Sequence, residues 1–320
     1  MKLLPLLLLL AAVAHGQPSL FDALHARKDT AVLSLETEWD QLLHTKSAKE
    51  YQPLTLSHGG QRLAGRIRTR GHARLRACRY PSLKVKLEKD ALASMGYSVL
   101  NDLKFVVACN SGTAARGYLR RERLMYELHA LVSSYHHRTV PVRLALPGGD
   151  TLPAFLIEAE EQLESRYGAS RIAVERISTR AFERQAYANL ALFNYLILNT
   201  DWQLRTLHNV EALRRGEESG YIPIPYDFDY AGLVDTDYAL PRESLGQVSV
   251  QEPHFLGRGL RFAELRTAAD GFLAQRESLE NAVRDHPTLQ ERHRRIILRR
   301  LKTFFAQIAN DRELERLASR

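Results

Sequence analysis

Apolar residues recur along this chain with two periods, and the alternation between them predicts its elements. Residues 61–72 alternate, with Arg66, Arg68 and Arg70 on one side and Ile67 and Thr69 on the other, as in a strand with one face buried. After Pro81 the pattern repeats over 82–87, where Leu83, Val85 and Leu87 face one way and Lys84 and Lys86 the other. A third run, 103–108, carries Lys104 and stops at Cys109. Short, consecutive and alternating, these three predict an antiparallel meander. Over 119–132 the period lengthens: Leu124, Met125, Leu128, Leu131 and Val132 form one helical stripe, with Glu122 near its edge.

Residues 140–146 and 152–157 flank Pro147-Gly148-Gly149-Asp150, a hairpin signal, and Glu158 follows directly. Residues 182–198, with Ala186, Leu190, Phe193 and Ile197, predict a long buried helix that stops at Asn199-Thr200-Asp201-Trp202. Residues 208–213 read as a short strand. Residues 220–225 begin another, which delivers Tyr226-Asp227-Phe228-Asp229. A loop rich in aromatic residues and proline leads into basic helices, one of them over 291–308. The class predicted is α+β: an N-terminal antiparallel sheet with one packed helix, then a mostly helical C-terminal half.

The first residues do not belong to this pattern. Met1-Lys2, an apolar run over 3–13 and Ala14-His15-Gly16 have the form of a secretory signal peptide cleaved after Gly16. The run is short for a bilayer span, and no later stretch is apolar enough to be one. An exported protein, in the periplasm or outside the cell, is expected, with 17–320 as a single domain. In that setting Cys78 and Cys109 read as a disulfide, because zinc normally takes four Cys or His ligands.

Forty-five Lys and Arg against 37 Asp and Glu leave a formal charge of +8, which favours an anionic partner such as a nucleotide. Export removes nucleic acid as a partner, and the basic stretch 293–302 interleaves Arg with Ile296, Ile297, Leu298 and Leu301 as an amphipathic helix does. His136-His137, just past a helix end, read as capping cations. Ser57 and Ser249 lack a Ser-His-Asp context and no G-x-S-x-G occurs, which leaves serine hydrolase chemistry unsupported.

Polar residues gather at the ends of apolar elements between Asn199 and Asp229. Asp201 ends a helix, Asn209 begins a strand, and Asp227 and Asp229 end the next. Such an all-oxygen set suits Mg²⁺ or Mn²⁺; the bland alternative is that these residues cap turns. A lysine-bearing strand, a helix with a glutamate, a hairpin, a long helix, Asp-x₇-Asn, a strand and Asp-Phe-Asp follow the order of parts used by protein-kinase-like phosphotransferases.

At these residues the chain resembles the CotH-type family of spore-coat atypical kinases, from about 61 through 233. The resemblance is carried by Arg-x-Arg-Gly at 68–71, Pro-x-Leu-Lys-x-Lys at 81–86, Leu103-Lys104-Phe105-Val106, the helix at 118–128, the strand-turn-strand at 144–158, Asn199-x-Asp201 and Tyr226-Asp227-Phe228-Asp229. A closer resemblance is to uncharacterised exported bacterial proteins sharing Asn-Thr-Asp-Trp, His-Asn and Pro-Tyr-Asp-Phe-Asp. It implies a two-lobed kinase-like fold, lobes meeting near 160, that uses ATP and Mg²⁺ or Mn²⁺.

Carried over residue by residue, Asp201 is the catalytic aspartate, and Asn209, Asp227 and Asp229 are the metal set. Lys86 is the first choice for the phosphate lysine, with Lys84 and Lys104 open alternatives, Arg68 beside them and Glu122 as the lysine's partner. The substrate implied is an exported protein. No glycine-rich loop precedes the lysine strand, and His72 stands where the family has Asn. These departures favour a non-catalytic envelope protein that binds a ligand in the same cleft. The same carboxylates also suit metal-dependent phosphoester hydrolysis.

Overall fold

A computed structural model describes residues 16–320 except 28, 147–148, 150, 218–219 and 320. Apart from Gly16 the expected signal peptide lies outside the described residues, as does most of the 147–150 turn.

Seven strands form the N-terminal part: β1 (Ala31–Glu36), β2 (Gln52–His58), β3 (Gln61–Arg70), β4 (Ser82–Leu87), β5 (Asp102–Val107), β6 (Thr139–Ala145) and β7 (Thr151–Ile157). The predicted meander forms, with Ile67 opposite Val85 and Val85 opposite Leu103. The expectation of an open antiparallel sheet in a two-lobed kinase-like fold is overturned. The strands close into a barrel in the order β1-β2-β3-β4-β5-β7-β6, and β1 joins β6 in parallel, Leu33 opposite Leu144. Closure has a physical reason: it pairs the N–H and C=O groups that two sheet edges would otherwise expose. In β1 every second residue, Ala31, Leu33 and Leu35, is buried.

The alternation leaves a basic row on the outer face, where Arg66 and Arg68 of β3 lie opposite Lys86 and Lys84 of β4, and Lys84 opposite Lys104 of β5. Gly65 is required by the close approach of β4, since a Cβ there would lie 2.6 Å from the carbonyl oxygen of Lys86.

The helix Thr113–Val132 packs on β6 and β7 through a stripe that includes Leu124, Met125 and Leu128. In the C-terminal half the helix Arg184–Leu196 is buried along nearly its whole length, with Phe262–Ala274 and Glu291–Ile308 packed around it. Beside it lies a small antiparallel sheet of β8 (Ser170–Arg171), β9 (Val210–Arg214) and β10 (Ile222–Pro225), in the order β10-β9-β8. One continuous apolar core runs through barrel and helices alike, from Leu20 to Leu317. Among the described residues no helix is long and apolar enough to cross a membrane.

Candidate functional site

The end of the long buried helix sets the first residue of the site. Buried Arg300 donates to the carbonyls of Tyr195 (2.6 Å) and Leu196 (3.1 Å), filling acceptors that a helix C-terminus leaves open. Leu198 then turns left-handed (φ 60°) and ends the helix. Asn199 Nδ2 donates to Asn194 Oδ1 at 2.8 Å, and Asn199 Oδ1 accepts from the Asp201 N–H at 3.0 Å. Asp201 is thereby held at the mouth of a cleft with its carboxylate about one-third exposed.

The Asp-x₇-Asn spacing is accommodated by a pinched turn. Gln203 and His208 exchange two backbone hydrogen bonds of 3.0 Å around a single 3₁₀ turn, Leu204–Thr206. That brings Asn209 back to Asp201, where Asn209 Nδ2 donates to the carbonyl oxygen (2.8 Å) and to Oδ2 (3.0 Å). His208 Nε2 lies 3.0 Å from Oδ1, and this bond, against the effect of burial, raises the imidazole pKa.

β10 delivers the second part. Asp227 and Asn209 both adopt left-handed backbone (φ 60° and 54°), a conformation that Asp and Asn tolerate better than most side chains. The Asp227 N–H donates to Tyr126 Oη at 2.8 Å. Phe228 is fully buried against Tyr126 and Phe193, with ring centroids 4.6 and 5.7 Å away. Asp229 turns the other way, its Oδ2 accepting from Arg74 Nε (3.1 Å) and Tyr238 Oη (3.0 Å).

Arg74, on the short helix Ala73–Ala77, is buried against three acceptors: Asp229, the Val107 carbonyl at 3.2 Å, and Glu122. A disulfide between Cys78 and Cys109, with Cα atoms 4.6 Å apart, fastens that helix to the residues following β5. One guanidinium thus faces Glu122, Asp227 and Asp229. Burial works against the Arg74 charge, but Glu122, Tyr238 and the aspartates outweigh it and hold its pKa well above the usual arginine value. Burial pushes the Glu122 carboxyl up, with Arg74 opposing and the aspartates adding to the rise. Asp227 rises to about 7 through burial and the charge of Asp229, against Arg74 and Arg70.

These parts line one cavity of about 260 Å³, which gathers Asp201, Asn209, Asp227 and Asp229 with Arg70, His72, Arg74 and Arg76. A larger, open groove of about 1050 Å³ at the β1–β2 side of the barrel carries Glu36, Glu38 and Glu88 and no cation, which suits no anionic ligand.

The cations chosen from the sequence lie elsewhere. Lys84 pairs with Asp102 at 2.7 Å, Lys104 is buried against Glu160, Arg68 sits over the Tyr51 ring at 5.2 Å, and Lys86 stays on the outer row opposite Asp102. Of β4 only Ser82, at its near end, reaches the cavity; each two-residue step along a strand moves a side chain by about 6.6 Å. Glu122 therefore meets Arg74 instead of a lysine. Arg74 and His208 were missed. Six arginines fall between 66 and 79 and nothing local singles out the buried one, whereas His208 is next to Asn209 in sequence.

Among the described residues no group of three or more His, Cys, Asp or Glu converges to hold a metal unaided. A smaller donor set is present. The Asp227 carboxylate and Asn209 Oδ1 line the cavity without a hydrogen-bond partner among the described residues. That set fits Mg²⁺, which usually takes one or two protein oxygens and completes its shell with phosphates and water.

No protein-family profile matches this chain, and no curated protein sequence does, so the CotH-type resemblance stands on its motifs alone. Among solved structures it is similar to a Helicobacter pylori proinflammatory kinase, CtkA, at 6% identity and a TM-score of 0.40, over 84% of this chain and 92% of that one.

Proposed function

We propose that this chain is a metal-dependent phosphotransferase with a nucleotide donor, of the CotH-like atypical kinase kind its motifs resemble. One observation carries the reading: a single cavity gathers Asp201, Asn209 and Asp227 with Arg70 and Arg76. The two arginines make no ion pair with the described residues and are placed to meet phosphate oxygens. Asp227 and Asn209 would hold Mg²⁺ or Mn²⁺, which when bound neutralises phosphate charge. A neighbouring cavity of about 370 Å³ shares Tyr226 with the first; Ile172, Leu207 and Val210 line it beside Arg171, Glu175 and Glu211, and the base would lie against its apolar part.

Asp201, oriented by Asn209 and His208, accepts the proton of an acceptor hydroxyl. The hydroxyl oxygen forms a bond to the γ-phosphorus, the bond from that phosphorus to the bridging oxygen breaks, and the nucleoside diphosphate leaves with the electron pair.

Calorimetry of ATP with the purified protein, with and without Mn²⁺ or Mg²⁺, tests this. Binding that needs the metal and is lost in Asp227→Ala supports it. Absence of binding at millimolar ATP by folded protein overturns it. A non-catalytic ligand-binding role is the second reading, favoured by Arg74: the cation that meets Glu122 is buried and already bound to three protein acceptors, where a phosphate-binding lysine would be free to meet the nucleotide. Metal-dependent nucleotide binding without phosphoryl transfer to any acceptor or water would establish that reading instead.

A further inference from the structure

A second cavity of about 260 Å³ lies on the other side of Asp201. It shares Asp201, His208 and Tyr230 with the first and adds Trp202, Leu240 and Arg242. Its volume is below that of a typical cofactor pocket, so it takes a side chain or a small metabolite. Its walls are specific about chemistry. Trp202 is 4% exposed and its indole N–H has no hydrogen-bond partner among the described residues. Arg242 gives one N–H to the Thr200 carbonyl at 2.7 Å and pairs with no carboxylate among them.

We propose that this cavity is the acceptor site, and that it takes a hydroxyl group with an anionic group close by. The hydroxyl would meet Asp201 and the anion would meet Arg242, with the Trp202 ring in the cavity wall. Phosphoryl transfer to the bound hydroxyl rests on the phosphotransferase reading; binding itself does not. Two sources offer that chemistry: a serine flanked by acidic residues in a polypeptide, and a free hydroxy acid.

The test reads binding without turnover. The chain has two tryptophans, and Trp39 already donates to the Leu35 carbonyl at 3.0 Å, so in 5-fluorotryptophan-labelled protein it serves as the internal control. Fluorine NMR is recorded while adding a Glu-Glu-Ser-Glu-Glu peptide, a Lys-Lys-Ser-Lys-Lys peptide, or glycerate, with the two resonances assigned by Trp39→Phe. The expected result is a shift of the Trp202 resonance alone, with the acidic peptide or with glycerate, the stronger of the two naming the source. Arg242→Gln, which keeps a donor for Thr200, weakens binding at least tenfold. Equal response to the basic peptide, no response at millimolar ligand, or no effect of Arg242→Gln overturns the proposal. Loss of ATP binding with the Trp202 shift intact would remove the phosphotransferase reading and leave the anion-recognising cavity standing.

Discussion

Arg74 decides how much charge the centre of the molecule can carry. It is one cation among Glu122, Asp227 and Asp229, and both of its carboxylate partners are buried with it. Removing one member of such a buried pair is strongly destabilising because the remaining charge has no partner. Arg74→Met is expected to lower stability by roughly 3–5 kcal/mol in urea denaturation. Adding Glu122→Gln should recover part of the loss, since one uncompensated carboxylate is then gone. A single variant no less stable than the parent would show that Arg74 is not the counter-charge. Lys cannot reproduce three acceptors in one plane, so Arg74→Lys should fall between the two.

At the scale of elements, the short helix Ala73–Ala77 is too small to stand alone. Its position comes from what grips it: Arg74 from the inside, and the Cys78–Cys109 disulfide at its end. The bridge closes a loop of 31 residues, for which chain entropy gives about 3–4 kcal/mol. Cys78→Ala/Cys109→Ala should lose stability of that order, and reductant should lower the parent to the same level while leaving the variant unchanged. A parent indifferent to reductant would mean that the native packing, not the bridge, holds the helix. The pinched turn of Gln203–His208 is the other small element with a large effect, because it returns Asn209 to Asp201 across eight positions.

For the whole molecule, pH acts on the shared core. His129 and His137 are buried, and burial pulls their imidazoles down to about 3 and about 4. His136 reaches the Ser133 carbonyl at 2.9 Å near a helix end, but burial lowers its pKa and works against the capping cation expected there, and His137 points into the core and stays neutral. Unfolded, both take up protons below about 6.5, so the unfolded chain binds more protons than the native one as pH falls from 6.5 towards 4. The contribution of these two histidines is therefore full above 6.5 and is lost below it, on the order of 2 kcal/mol per histidine by pH 4.5, while the raised carboxyls Glu122 and Asp227 act in the opposite sense. Both ring nitrogens of His137 lack partners, so His137→Met leaves nothing newly unsatisfied. Its denaturation midpoint should depend less on pH between 7.5 and 4.5 than that of the parent. An unchanged slope would place the acid sensitivity elsewhere.

The amino-acid pattern by itself determined β3, β4, β5, the β6–β7 hairpin, and helices read over 119–132, 182–198 and 291–308 that the structure bounds at 113–132, 184–196 and 291–308. Each is a local matter, since alternation or a 3.6-residue stripe shows which face will be buried. The acidic cluster was legible for the same reason: Asp201, Asn209, Asp227 and Asp229 interrupt apolar runs where elements end. Only the tertiary structure decided that the sheet closes, because the parallel pairing of β1 with β6 joins residues more than a hundred positions apart and leaves no local trace. It likewise decided which cation meets Glu122. Lys84, Lys86, Lys104 and Arg74 are all cations on or beside the same sheet; Lys104 is as buried as Arg74, and only packing from both halves at once sets Lys104 against Glu160 and Arg74 against Glu122.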